Sequence, residues 1–193
     1  MIKEINTKAD KKEFANTGTV FSRLYPGAIP KFFKSELALL DTDKNFFFSS
    51  GGIMKSFLAY SENKIVGRIA AFINPDVSNN SQKVGLVGLF DCVNDYSIAE
   101  DLLNAAINWL KENSCTEIWG PVDFSIWHSY RFITKGFDTY SFIGEPRNPE
   151  YYPAFFEKFG FAKEKTWETY VLDKEDMKSF INQYSAQADL YYI

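Results

Sequence analysis

The chain has 193 residues, with 21 Lys plus Arg against 25 Asp plus Glu, a net charge of −4. At roughly 150 residues per domain that is one domain, or one and a short tail. Mild acidity argues against a general nucleic-acid binder, which needs a basic footprint to displace counterions from phosphates, and 46% hydrophobic with 24% charged residues is the balance of a folded chain rather than a disordered one.

Residues 2–6 read as a short strand. The spacing of Phe14, Val20, Phe21 and Leu24 predicts a helix over 8–24, broken by Tyr25-Pro26-Gly27. A second helix is expected over about 30–40, opening on Pro30. Asn45-Phe46-Phe47-Phe48 then runs into Ser49-Ser50-Gly51-Gly52, read as a loop. Apolar runs at 54–60 and 64–73, separated by Ser61-Glu62-Asn63, predict an antiparallel hairpin. A polar loop over 75–83 leads to a third strand at 84–93. The clearest helix is 95–112, with Ile98, Leu102, Ala105 and Trp109 on one face, Leu103, Ala106 and Leu110 beside it, and Asp95 or Ser97 as its cap.

A strand follows at about 116–119, ended by Gly120-Pro121. The stretch 122–147 is irregular, aromatic and long, so it holds a strand, with 140–143 as the candidate, or is functional. Asn148-Pro149 opens a helix through Phe159, stopped by Gly160. A last strand is expected at 165–172. Residues 173–193 are read as an extension of a 1–172 domain, helical at first, with an apolar end that suggests the start of a region missing from this chain. The order, β-α-α-β-β-β-α-β-insert-α-β, gives a mixed α/β (α+β) fold with helices packed on a mixed sheet.

Two cysteines, Cys92 and Cys115, cannot build a disulfide framework or a four-ligand zinc site, and a reducing, cytoplasmic setting is the default reading. His128 is the only histidine, so no two-His metal motif exists and no metal is expected. The N-terminus lacks the apolar stretch of a signal peptide, and no apolar run is long enough to suggest a membrane span. The 18% aromatic content reads as a Phe-rich core first, and as an aromatic pocket or partner surface second.

That order of elements, with Asn45-Phe46-Phe47-Phe48, Phe57-Leu58-Ala59, Ile65-Val66-Gly67-Arg68-Ile69-Ala70, Gly120-Pro121-Val122-Asp123-Phe124-Ser125, Gly136-Phe137-Asp138 and Asn148-Pro149-Glu150-Tyr151-Tyr152 through Phe159-Gly160-Phe161, resembles the GNAT superfamily of acyl-CoA-dependent N-acyltransferases. It is similar in particular to a group of uncharacterised bacterial GNAT-like proteins, over about residues 20–172. The resemblance implies a central twisted mixed sheet, with helices on both faces, splayed where the strands at 84–93 and 116–119 part. Acyl-CoA enters that cleft as though it were an extra strand. Its pyrophosphate then meets backbone N–H groups at the start of the next helix, where unpaired donors and a positive dipole end favour phosphate. The cofactor-binding residues so implied are Cys92, Val93, Asn94, Tyr96, Ser97, Ile98 and Ala99.

Two departures stand out. The superfamily's phosphate loop, Q/R-x-x-G-x-G/A, reads Asn94-Asp95-Tyr96-Ser97-Ile98-Ala99 here. Only Ala99 conforms, and Asp95 adds a negative charge where phosphate would sit. Asp95 and Ser97 therefore read equally as caps of a core helix. The tyrosine that many members place four residues before the Gly of the terminal Gly-Phe, to protonate the leaving thiolate, is Phe156 here. Tyr151 and Tyr152, about one turn earlier, are candidate substitutes, although one or both are equally read as core or pocket-wall rings.

Asp91 is the candidate base or amine anchor, with Glu145 and Asp123 as others, each also readable as an exposed or capping carboxylate. Cys92 reads as a small buried hydrophobe, His128 as a loop residue or pocket liner. Arg68 reads as an anion binder or as the partner of an acid on a neighbouring strand. The expected function is an N-acyltransferase moving an acyl group from acetyl-CoA or a longer acyl-CoA to a small-molecule amine. The alternative is an inactive GNAT-like binding domain, one half of a larger protein. An aminoacyl-tRNA donor is disfavoured by the negative charge.

Overall fold

The structure, a computed structural model, describes residues 1–25, 27–80, 82–140, 144–169 and 173–188, the last six of these by backbone alone. Strand β1 (Ile2–Glu4) leads into helix α1 (Lys8–Leu24), whose start is fixed by a reciprocal box: Asp10 N–H donates to Thr7 Oγ1 at 3.1 Å, and Thr7 N–H donates to the Asp10 carboxylate at 2.9 Å. Helix α2 (Phe33–Leu39) is shorter than the expected 30–40. Phe46–Ser49 forms a single helical turn, α3, so the loop expected at 49–52 begins one residue later. Two forces make that turn. Asn45 accepts from Phe47 N–H at 3.1 Å, and the Phe47 ring seats between Phe72 and Phe124, centroids 5.9 and 5.2 Å away.

Strands β2 (Ile53–Ser61) and β3 (Lys64–Ile73) form the hairpin, turning through Glu62 and Asn63 at φ 48° and 63° as a two-residue type I′ turn requires. The polar loop that follows contains β4 (Ser78–Asn79), which folds back on β5 (Gln82–Cys92). Helix α4 (Tyr96–Glu112) crosses to β6 (Glu117–Trp119), which pairs parallel to β5. Inside the irregular stretch, β7 (Val122–Asp123) and β8 (Ser129–Tyr130) make a small antiparallel pair. The strand expected at 140–143 falls mostly on 141–143, outside the described residues. Helix α5 (Tyr151–Phe159) ends on Gly160 at φ 118°, and α6 (Lys174–Ala188) follows. Residues 165–169 carry no strand, since no neighbour offers them a ladder among the described residues, and 170–172 lie outside those residues.

The sheet runs β1-β2-β3-β5-β4 with β6 on β5, antiparallel throughout except β5–β6. Each face buries a core. On one side Ile69, Ala71, Val87 and Cys92 meet α4 and α5. On the other Leu58, Ala70, Phe72, Leu86 and Leu89 meet Phe14 of α1 and Phe47. The buried stripe of α4 is Ala99, Leu102, Leu103, Ala106, Ile107 and Leu110, so Ile98, Ala105 and Trp109 flank it rather than centre it. Small Ala99 and Ala106 let the helix axis settle close to the sheet. The chain divides into two compact units, Met1–Phe161 and Ala162–Ile193, and the whole sheet belongs to the first. No helix among the described residues is long and apolar enough to cross a membrane.

Candidate active site

Strand β5 carries a bulge. Its register against β3 shifts between Arg68↔Asp91 and Ala70↔Gly88, and Leu89 takes φ 44°. The extra residue re-phases the side chains, so that Leu89 and Asp91 face α1 while Phe90 and Cys92 face α4 and α5. At the same point the sheet splits, because β6 pairs with β5 only over Val84–Leu86. Gly88 makes room beside the split: a Cβ there would stand 2.3 Å from Asp123 Oδ1 and 2.5 Å from Val122 O. Asp123 in turn accepts Leu89 N–H at 2.6 Å, and burial raises its pKa.

Beyond the split, β5 has an edge with no strand on it among the described residues. Val93 N–H bonds inward to Val66 O at 3.0 Å, so by alternation Cys92 turns its N–H and C=O outward. Two tyrosines of α5 occupy them. Cys92 N–H donates to the Tyr152 hydroxyl at 2.6 Å, and Tyr151 O–H donates to Cys92 O at 3.0 Å. Tyr152 Oη also lies 3.2 Å from Cys92 O and in very short contact with the Tyr25 hydroxyl at the end of α1. Tyr25 O–H donates to Asp91 Oδ1 at 3.1 Å.

The donors therefore run in one direction, from Cys92 N–H through Tyr152 and Tyr25 to a carboxylate. Such a chain polarises itself, and it passes from one face of the sheet to the other around the free edge of β5. Burial, then Asp91, raise the pKa of Tyr152 well above an ordinary phenol, and Tyr25 is raised by the same two causes. Tyr151 is pushed up to about 12 by burial and by the nearby Cys92 and Asp91. All three are neutral hydroxyls at pH 7.

Asp91 is itself anchored. Its Oδ2 accepts Arg68 Nε at 2.6 Å, and Arg68 reaches Glu36 of α2 at 2.8 Å and donates to Phe14 O at 3.1 Å. The Arg68–Glu36 approach is an ion pair without hydrogen-bond alignment, since both atoms lack a well-angled partner. Arg68 is 1% exposed. Burial opposes its charge, but Asp91 and then Glu36 outweigh burial and raise its pKa. The side chain fits only because α1 has Gly18 opposite it, where a Cβ would stand 2.0 Å from Nη2. Of the two readings of Arg68, the structure contains the cross-strand pair. Asp91, expected as base or amine anchor, has each oxygen engaged and lies one hydroxyl behind the cavity.

At the start of α4, Asp95 is the N-cap. Its carboxylate accepts Ser97 N–H at 2.9 Å and Ser97 O–H at 2.8 Å, which together hold its pKa below the usual range. Ala99 is fully buried and its N–H is spent on Asp95 O at 3.2 Å; Ile98 packs against the core. Tyr96 donates to Glu100 at 3.1 Å, and the Lys158 ammonium lies 3.8 Å over its ring. The donors a diphosphate needs are thus partly taken by an internal carboxylate. Cys92 Sγ is buried and pushed up to about 12 by burial, then Asp95 and Asp91, which makes it a thiol and not a nucleophile.

Val93 and Asn94 open onto a cavity of about 450 Å³, bounded also by Phe21, Leu24 and Tyr25 of α1, by Phe137, and by 147–151 at the start of α5. Its walls are apolar apart from Tyr25, Tyr151 and the polar groups of Asn94, Arg147, Asn148 and Glu150. The remaining candidates lie elsewhere. Glu145 pairs with Arg131 at 2.9 Å, and His128 sits exposed, its Nδ1 3.3 Å from Ser125 Oγ. Phe156 is a core ring against Phe90, Phe132 and Phe161. Among the described residues no cluster of His, Cys, Asp and Glu fits a metal. Tyr25, Glu36 and Gly18 were missed in the sequence; a glycine inside a strongly patterned helix was the one available signal.

No family model matches the chain. It is 30% identical over 112 residues to Protein YghO of Escherichia coli, covering 58% of this chain and 29% of that protein. It is 26% identical over 172 residues to the Bacterial ceramide synthase of Caulobacter vibrioides, covering 88% of this chain and 44% of that one. The chain thus spans less than half the length of these curated relatives. Among solved structures, a predicted acetyltransferase with acetyl-CoA from Clostridium acetobutylicum superposes with TM-score 0.55 at 14% identity, over 89% of this chain and 96% of that one. An aminoglycoside acetyltransferase from an uncultured soil sample, in complex with sisomicin, gives 0.54 at 14%, over 90% and 96%. Aminoglycoside N-acetyltransferase AAC(6')-Iy in complex with CoA gives 0.53 at 16%, over 89% and 93%. At these identities the likeness shows the fold, and the fold is that of the GNAT acetyltransferases.

Proposed function

We propose that the chain is an acyl-CoA-dependent N-acyltransferase whose acceptor is the primary amine of a long-chain molecule. The observation that carries the reading is the edge of β5 beyond β6, which bears no strand among the described residues and continues into Val93 and Asn94 on the wall of a largely apolar cavity. Tyr152 and Tyr151 cap the Cys92 N–H and C=O there, and an incoming arm would take their place. An extended amide-bearing arm such as pantetheine pairs with such an edge as a strand does. The apolar walls favour a long alkyl chain near the thioester, and the relative named a ceramide synthase speaks for the same class, a ceramide being the amide of a long-chain acyl group and a sphingoid amine.

In the reaction the neutral amine attacks the thioester carbonyl, the C–S bond breaks, and the amide forms as CoA leaves with a proton. Tyr151 and Tyr152 sit where that thiolate departs. A phenol at about 12 surrenders its proton to a thiolate of about 8.5 only at a cost of about 5 kcal/mol. Neither is therefore the acid: Tyr151, on the cavity wall, turns its hydroxyl from Cys92 O to hydrogen-bond the sulfur, Tyr152 stays in the buried hydroxyl chain with Tyr25 and Asp91, and the proton released by the acylated nitrogen balances the thiolate. Tyr25 and Asp91 position Tyr152, and positioning supplies much of the rate because thioesters are already activated. Val93, Asn94, Tyr96, Ser97 and Ile98 border the path of the CoA arm.

One observation favours a second reading, a GNAT-fold domain that binds an apolar ligand without turnover: the Asp95 carboxylate caps α4 at the helix start that the transferase reading would give to the phosphates. Thiol release from palmitoyl-CoA or acetyl-CoA, with sphinganine as the amine, separates the two. Amine-dependent release faster with palmitoyl-CoA supports the transferase. Thioester binding with no release under any amine supports the second.

A further inference from the structure

We propose that Arg23 and Leu24 at the end of α1, with residues 27–34 leading into α2, form a docking surface for an anionic phospholipid bilayer at the mouth of the cavity. Every side chain from Ile29 to Lys34 is exposed. Leu24 is 64% exposed, Ile29 54% and Phe32 74%. A contiguous set of exposed large apolar side chains marks an interaction site rather than ordinary surface.

The charge says which kind. The segment holds Arg23, Lys31 and Lys34 and no carboxylate, in a chain whose net charge is −4. The next acid, Glu36, is buried against Arg68. Among the described residues none of the three cations has a carboxylate within 4 Å, although Lys31 lies near enough to Asp123 to favour its ionised form. Apolar rings flanked by exposed cations with no carboxylate within 4 Å suit the headgroup boundary, with the rings entering the acyl layer and the cations meeting lipid phosphates. An uncharged protein surface would take the rings and leave the cations without partners.

The segment is held in place beside the cavity. Ala28 N–H donates to Tyr25 O at 3.1 Å, and Lys31 N–H donates to the buried Ser22 Oγ at 2.9 Å. That second bond fixes Lys31 against the last turn of α1, whose Phe21, Leu24 and Tyr25 wall the cavity. Leu24 belongs to both surfaces. A bilayer seated there delivers a long-chain amine to the cavity without passage through water; this consequence rests on the transferase reading, whereas the docking does not.

The test is sedimentation of the 193-residue chain with vesicles, in the absence of any thioester. Vesicles of equal phosphatidylcholine and phosphatidylglycerol bind the protein, and binding falls in high salt and with pure phosphatidylcholine. At roughly fivefold per cation, Lys31→Ala with Lys34→Ala weakens binding roughly 30-fold. Phe32→Ser weakens it at least about tenfold. Circular dichroism and palmitoyl-CoA affinity in solution stay unchanged in both. The proposal is overturned if the wild-type chain does not sediment with anionic vesicles, or if both variants bind them as well as it does. It is equally overturned if Phe32→Ser instead abolishes self-association in ultracentrifugation, which assigns the surface to a second copy.

Discussion

Tyr152 holds three groups together at one oxygen, and its removal is felt on both faces of the sheet. Tyr152→Phe strands Cys92 N–H and leaves the Tyr25 hydroxyl only its bond to Asp91, and a buried unsatisfied group costs about 1–3 kcal/mol. Thermal unfolding should fall by a few degrees, and turnover should drop more than thioester affinity. Arg68→Met is harsher. It leaves Glu36 and Asp91 buried without their cation, a loss of about 3–5 kcal/mol, whereas Tyr25→Phe keeps the triad and disturbs only the hydroxyl chain. A urea series on the three variants checks the ranking; equal losses would contradict it.

Alkali should reach the same residues. Cys92 and Tyr151 both have folded pKa values of about 12, above those of the unfolded chain. Between pH 9 and 12 the unfolded chain binds fewer protons than the native one, so stability is complete below about pH 9 and declines toward 12. Cys92→Ala should delay the onset of that decline, as read from urea midpoints across the range. Folded Cys92 should resist alkylation at pH 8.

Helix α4 carries two opposed requirements at its first turn. Asp95 is a good cap, and it is also an anion in the path proposed for a diphosphate. Asparagine caps as well as aspartate, so Asp95→Asn isolates the charge. CoA binding should tighten several-fold at unchanged helix content. An unchanged affinity would mean that the phosphates lie elsewhere. Helix α1 offers a steric counterpart in Gly18→Ala, which drives a methyl into the Arg68 guanidinium and should destabilise the fold despite better helix propensity.

These elements differ in how far the sequence exposes them. The 8–24 helix, the hairpin and the α5 stop at Gly160 were legible because each rests on local spacing or one turn residue. The bulge at Leu89 was not, since leucine carries no turn signal and its N–H at positive φ is held by Asp123 from outside the strand. The strand expected at 165–172 has no described partner over 165–169, and a partner is something no local pattern supplies.

At the scale of the molecule, the parallel β6 and the splayed edge of β5 follow from the element order and its resemblance, and with them the position of the cleft. The Glu36–Arg68–Asp91–Tyr25–Tyr152 network does not, because it joins α1, α2, β3, β5 and α5 through side chains far apart in sequence. Asp91 and Tyr152 were legible as candidates; what each one touches was not. Phe156, expected to leave the acid's place vacant, proves to be part of a ring cluster that seats α5 and so aims Tyr151 and Tyr152 at Cys92.

The central claim is that a thioester pairs with the free edge of β5 while its acyl chain enters the adjoining cavity. Calorimetric titration of the 193-residue chain with CoA, acetyl-CoA and palmitoyl-CoA tests it most directly. Micromolar binding, tightest for palmitoyl-CoA, is the predicted result. The absence of heat with all three ligands would contradict it.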